Sequence, residues 1–165
     1  MGIRETLNRN PGVVTGATIV IIVVVLGFIV MQLTSSNVPK APTQSFYTVD
    51  DGVTRFGDDV NLVPPFKTKD GKEAVRVYVF SCKNGKAPFP VYMERYLPEG
   101  KAKIEALMKK GNVNSDERQG LDEKYKQVKK VGGAKWCSLT DPGFGDVTRI
   151  DCPDNNYNDL IVVTP

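Results

Sequence analysis

Histidine is absent from all 165 residues, and with it go the arrangements that depend on an imidazole. No Ser-His-Asp or Cys-His nucleophile can be assembled, and no histidine ligand is available to a metal. The three cysteines, Cys82, Cys137 and Cys152, contain no CxxC spacing, which removes a thioredoxin-like dithiol. Neither G-x-x-x-x-G-K-[ST] nor a strand-linked G-x-G-x-x-G occurs, so the usual phosphate-cradling loops are missing too. A surplus of charge is also lacking: a net +3 is too small to imply a polyanionic partner. The basic clusters at Lys101, Lys103, Lys109, Lys110 and at Lys124, Lys126, Lys129, Lys130 fall on expected helices and read as solvated faces. No nucleic acid is implied, no cofactor is called for, and the expectation is a protein that is not an enzyme.

What the chain does have is one long apolar run. Residues 13–33, "VVTGATIVIIVVVLGFIVMQL", carry no charge. As a helix rising about 1.5 Å per residue they reach roughly 30 Å, the thickness of a bilayer's hydrocarbon core. The β-branched stretch Ile19 to Val25 favours strand in water, but in lipid a lone segment satisfies its backbone only as a helix. A cleaved signal peptide is the rival reading, since "TSSN" at 34–37 supplies small residues. Its apolar core is about 7–15 residues long, and this run exceeds that. Arg4 and Arg9 precede the run and only Lys40 follows closely, so the positive-inside rule puts the N-terminus in the cytoplasm. The expected layout is a cytoplasmic tail (1–12), a transmembrane helix in the lipid bilayer (13–33), an extended linker (34–45) and an extracytoplasmic α+β domain (46–165). The address is the inner (cytoplasmic) membrane, single-pass and signal-anchored, with the domain in a compartment where disulfides persist.

Within the domain the expected fold is a small antiparallel sheet with two helices. "FYTV" and "VTRF" flank "DDG", and "EAVRVYVFSC" and "APFPVYMERYL" flank "KNGK", giving two hairpins. Asn84 and Gly85 suit the two positive φ values of a tight type I′ turn. Pro88 and Pro90 require the partner strand to begin late or lie at an edge. "VPPFKTKDGK" (63–72) reads as a loop with a turn at Asp70-Gly71. One helix is expected over 98–110, burying Ile104, Leu107 and Met108, and a second over about 116–130, with Ser115 as N-cap and Leu121, Tyr125 and Val128 on one face. "AKWCSL", "DVTRIDC" and "DLIVVTP" read as strands.

Four candidate features remain. Thr48, Asp50, Gly52 and Thr54 fit S/T-x-D-x-G-x-T-W except at the last position, where Arg55 replaces the aromatic and Phe56 follows. The stretch resembles the Asp-box hairpin of sialidases and other β-propellers. The resemblance implies a structural turn shaped by Asp50 and Gly52 rather than a catalytic group, and the chain is too short for a propeller. Asp58 and Asp59, with Asp50 and Asp51, could supply the carboxylate pair of a glycan-active enzyme, held about 5–10 Å apart across a cleft. Asp141, Asp146, Asp151 and Asp154 form the better candidate for calcium, which takes six to eight oxygens. Finally, if "WCSL" pairs antiparallel with "RIDC", Cys137 opposes Cys152 and Leu139 opposes Ile150 in one register. Opposed Cα atoms about 4.5 Å apart lie within disulfide range. That predicts a Cys137 to Cys152 bridge and leaves Cys82 free.

Taken together, "RETLNRNPGVVTGATI", the span, "FYTVDDG", "VPPF", "GKEAVRVYVFSC" and "YMERYLPEGK" make the chain resemble small single-pass membrane-anchored proteins of planctomycete-type bacteria. That resemblance implies an inner-membrane anchor with an exported domain and brings no activity with it. The leading expectation is a membrane-tethered interaction or structural domain contacting a protein or envelope polymer, with self-association as an option. A small-ligand or calcium-binding module, or a glycan-active enzyme, is the alternative.

Overall fold

The computed structural model describes residues 11–34, 41–111 and 114–165, and in the first of these the described side chains run without a break only over 18–32. The chain divides into two compact units, one up to Ala41 and one from Pro42 to Pro165. Among the described residues the fold is α+β, an antiparallel sheet with four helices.

The first unit holds α1 (Pro11–Thr34), an uncharged helix whose described apolar side chains from Ile19 to Met31 are all exposed. Among the described residues, no helix is long and apolar enough to cross a membrane. Residues 1–10 of the expected tail and 35–40 of the expected linker lie outside the described residues.

In the second unit, strands β1 (Gln44–Thr48), β2 (Phe56–Asp59), β4 (Glu73–Ser81), β5 (Phe89–Tyr96), β6 (Lys126–Lys130) and β7 (Cys137–Ser138) follow the spatial order β2-β1-β4-β5-β6-β7. Two short strands, β3 (Phe66–Lys67) and β8 (Ile161–Val163), also pair with β4, the longest. Both expected hairpins form, with Tyr47 opposite Phe56 in the first and Val77 opposite Met93 in the second. Asn84 and Gly85 adopt φ values of 47° and 87°, the positive pair that closes the second. β5 begins late, at Phe89, and the register slips between Tyr78 and Val79, where Pro90 enters. It is an interior strand rather than an edge, because β6 covers its other side from Tyr92 to Tyr96.

Alternation along β4 and β5 gives the sheet two unlike faces. On one, Val77, Val79 and Met93 are buried against Phe46, Val75, Val131, Trp136 and Val163. The other carries Arg76, Tyr78, Tyr92, Glu94 and Tyr96. There, helices α2 (Pro98–Lys109) and α3 (Ser115–Tyr125) build a second cluster of Val63, Tyr96, Ile104 and Tyr125, edged by Met108 and Leu121. α2 starts with proline in its first turn and ends at Lys110, ahead of Gly111 at φ 73°. Gly100 lies against Tyr125, and a Cβ there would stand 2.1 Å from the tyrosine's Cβ. Gly100→Ala is therefore expected to cost about 3 kcal/mol through overpacking, read as a lower urea midpoint in Trp136 fluorescence. Gly120→Ala, with nothing within 4 Å, should gain up to about 1 kcal/mol from helix propensity. Equal effects of the two would overturn this packing.

Three expectations are corrected. The second helix stops at Tyr125 instead of Lys130, because Lys126–Lys130 form β6 and satisfy the backbone of β5 from Tyr92 to Tyr96. Tyr125 and Val128 are both buried, as their spacing suggested, but one is on a helix and the other on a strand. The N-cap is Asn114, whose side chain accepts from the Asp116 N–H, rather than Ser115. "DVTRIDC" is not a strand: Phe144–Thr148 form the short helix α4, and β7 pairs with β6 at Gln127 and Val128.

With no "WCSL" to "RIDC" ladder, Cys137 and Cys152 are never opposed. Cys152 bonds instead to Cys82, just past the end of β4, with 5.8 Å between their Cα atoms. Cys137 is the free thiol, half-buried and donating weakly to the Val128 carbonyl at 3.6 Å. Burial and the nearby Asp141 push its pKa above the ordinary thiol value.

Candidate functional site

The Asp-box-like residues converge on one another. Thr48 Oγ1 donates to Asp50 Oδ1 at 2.9 Å and accepts from the Gly52 N–H at 2.9 Å. Asp50 accepts from the Thr54 N–H at 2.8 Å and from the Thr54 hydroxyl at 2.6 Å. Those Thr54 bonds hold the Asp50 carboxyl below the usual carboxylate range. Every acceptor in the motif is thus engaged within the turn, which suits a structural device. Asp51 acts at longer range, taking Lys129 Nζ at 2.6 Å and the Gly132 N–H at 3.1 Å, while Gly52 abuts Val131. The hairpin tip is therefore fastened to the end of β6.

Asp58 and Asp59 are neighbours on β2, so their side chains leave opposite faces of the strand. Asp59 Oδ1 accepts from the N–H and side chain of Asn61, shaping the next turn. Asp58 and Asp59 therefore do not face each other as a pair. The proposed ion site is likewise dispersed. Asp141 caps the Ser138 N–H at 2.6 Å, Asp146 meets Arg149, Asp151 meets Arg149 and Lys130, and Asp154 accepts from the Asn156 N–H. Among the described residues, no three histidine, cysteine or carboxylate side chains gather around a point that could hold a metal.

A chain of buried charge crosses the sheet beneath the helices. Glu94 is only 2% exposed; its carboxylate meets Arg76 at 3.3 Å and Lys126 at 3.4 Å and accepts from the Tyr78 hydroxyl at 2.8 Å. Arg76 continues to the Val60 and Leu62 carbonyls and the Tyr47 hydroxyl. Lys126 continues to Asp122, which accepts from Tyr96 and Arg118. Burial works against the charge on Arg76, but Glu94 together with Tyr47 and Tyr78 more than offsets it and keeps the guanidinium protonated. Burial raises the Tyr78 and Tyr96 hydroxyls far above their ordinary range, so both act as donors. The signal for this network is present in "VRVYV" and "YMERY", where opposite charges sit at matching positions in two facing apolar strands. Its many internal partners suit a scaffold, although the buried Arg76 Nε makes no hydrogen bond.

A groove of about 530 Å³ opens beside β2 and β3, with no residue of α2 or α3 in its lining. Its apolar wall is Val49, Phe56, Leu62 and Phe66, and Phe56 and Phe66 rest on the buried Tyr47 ring at 6.1 and 5.0 Å between centroids. Lys67, Lys69 and Lys72, with Asp58 and Asp70, line the rest. The Thr68 N–H bonds the Lys72 carbonyl and the Gly71 N–H bonds the Thr68 carbonyl, which fixes the turn carrying the lysines. None of the three lysines has a carboxylate within ion-pair distance among the described residues. The loop expected over "VPPFKTKDGK" is interrupted by β3, whose Phe66 and Lys67 pair with Ala74 and Glu73 of β4, and its lysines are not singled out by the sequence. The available signal was three lysines clustered around Asp-Gly directly after Pro-Pro-Phe.

No family model, no curated protein and no solved structure matches the chain.

Proposed function

We propose that this chain is a single-pass inner-membrane protein, N-terminus inside, that holds residues 42–165 outside the cytoplasm as a binding domain without catalysis. The observation that carries the reading is α1: 24 residues without a charge, which at about 1.5 Å per residue extend roughly 36 Å, more than the hydrocarbon core requires. The reading takes the whole of α1, including its ends beyond 18–32. The Cys82–Cys152 disulfide supports an oxidising compartment for the rest. The domain's partner is a protein or an envelope polymer. A small-ligand role is the second reading, favoured by the groove's size, since ligand pockets run about 300–1,000 Å³.

The test uses the full chain with different epitopes at its two ends, expressed in cells whose outer barrier can be opened. Added protease should destroy the C-terminal epitope and spare the N-terminal one, and alkaline carbonate should leave the protein in the membrane pellet. Release by carbonate, or protection of both epitopes until the membrane is dissolved, would overturn the anchored and exported reading.

A further inference from the structure

We infer that the groove beside β2 takes a single-chain anionic amphiphile drawn from the bilayer, with its hydrocarbon on Val49, Phe56, Leu62 and Phe66 and its anionic head among Lys67, Lys69 and Lys72. The inference rests on the anchored reading above, which supplies the lipid.

Two observations lead there. The first is shape: no residue of α2 or α3 lines the groove, and its apolar side chains are aromatic and aliphatic. A hydrocarbon chain placed there removes apolar surface from water on both partners. The second is charge. Lys67, Lys69 and Lys72 outnumber Asp58 and Asp70 in the lining and form no ion pair among the described residues. The arrangement of apolar floor and cationic rim at one end is complementary to a long chain ending in a carboxylate or phosphate. An acidic peptide could satisfy the lysines, but a continuous apolar wall built from Val49, Phe56, Leu62 and Phe66 suits a chain better than alternating side chains.

The test places the full-length protein in phosphatidylcholine nanodiscs and adds a hexadecanoic acid bearing a diazirine near its methyl end. Irradiation followed by peptide mapping should put label in 49–72 as well as in α1. The matching alcohol, and the K67Q/K69Q/K72Q protein, should each lower the 49–72 label by about tenfold while leaving the α1 label unchanged. The glutamines replace exposed lysines without ion pairs among the described residues, so the fold is retained, and an unchanged Trp136 emission spectrum checks this. Label confined to α1, or 49–72 label indifferent to the head group and the lysines, overturns the amphiphile and leaves the anchored domain standing. So does capture of a protein, and no lipid, by a photoactivatable residue placed at position 69 in cells. Loss of membrane retention in the carbonate test removes the anchored reading itself.

Discussion

Reduction of the Cys82–Cys152 disulfide is expected to lower the stability of the domain by about 4 kcal/mol. The bond joins positions 70 residues apart, and in the chain-entropy description a loop of that length removes roughly this much freedom from the unfolded ensemble. The native contacts leave little to compensate. Between 151 and 160 Cys152 is the only buried residue, and β8 beyond it contributes only three residues of pairing to β4. The sulfur bridge is therefore what seats the C-terminal segment on the sheet. The measurement is urea unfolding of the full chain in mild detergent, followed through its single tryptophan, Trp136, with and without reductant and with the Cys82→Ser/Cys152→Ser pair. Trp136 packs with the sheet core and reports the domain rather than α1. Midpoints that coincide within error, or a mapped Cys137 to Cys152 peptide, would defeat the assignment.

Glu94→Ala is expected to be as damaging, at about 3–5 kcal/mol, because it leaves the largely buried Arg76 without its carboxylate and Lys126 with Asp122 alone. Glu94 is the shared anion: it bridges β4 and β6 across β5 and also orients the Tyr78 hydroxyl. Removing it leaves two cations near one another and an unmet phenol donor. Glu94→Gln retains an acceptor for Tyr78 and the side-chain volume, so it should recover part of the loss. An alanine variant within about 1 kcal/mol of the parent would show that the pair is effectively hydrated and that burial at this position does not decide stability. The neighbouring Asp122 adds a pH signature. Burial raises its pKa, but hydrogen bonds from Lys126 and Tyr96 outweigh that and hold it below the ordinary carboxylate value. A depressed folded-state pKa contributes stability that is fully present above the unfolded value and is lost as pH falls through the folded one. The domain should therefore weaken progressively in acid below the ordinary aspartate range, and Asp122→Asn should flatten that slope.

Local chemistry was legible wherever a structure is decided within a few residues. The four Asp-box positions predicted a turn, and each makes the bond its spacing suggested. Asn84-Gly85 predicted a tight hairpin, and Ile104 and Leu107 predicted the buried stripe of α2. The misreadings share a cause. "KQVKK" has no strong local preference, and only the open edge of β5 turns it into β6 rather than another turn of α3. The cysteine pairing failed because a register inferred from two short segments presumed they were neighbours, and each was claimed by another part of the chain. Asp51 looked like one more acidic turn residue until the fold carried Lys129, far along the chain, to within 2.6 Å of it.

The sequence by itself determined the uncharged run that becomes α1, the turn chemistry, the β-rich start of the domain and the absence of imidazole-based catalysis. These depend on side-chain type and near neighbours, whose energetics act over one turn of helix or one hairpin. Only the tertiary structure decided which cysteine Cys152 meets, that the acidic loops are spent on capping and ion pairs, and that three lysines gather at an apolar groove left uncovered by the helices. Such partnerships join distant positions at a loop-closure cost that grows only slowly with separation. Sequence distance therefore says little about which will form, and the packing of the whole sheet selects among them.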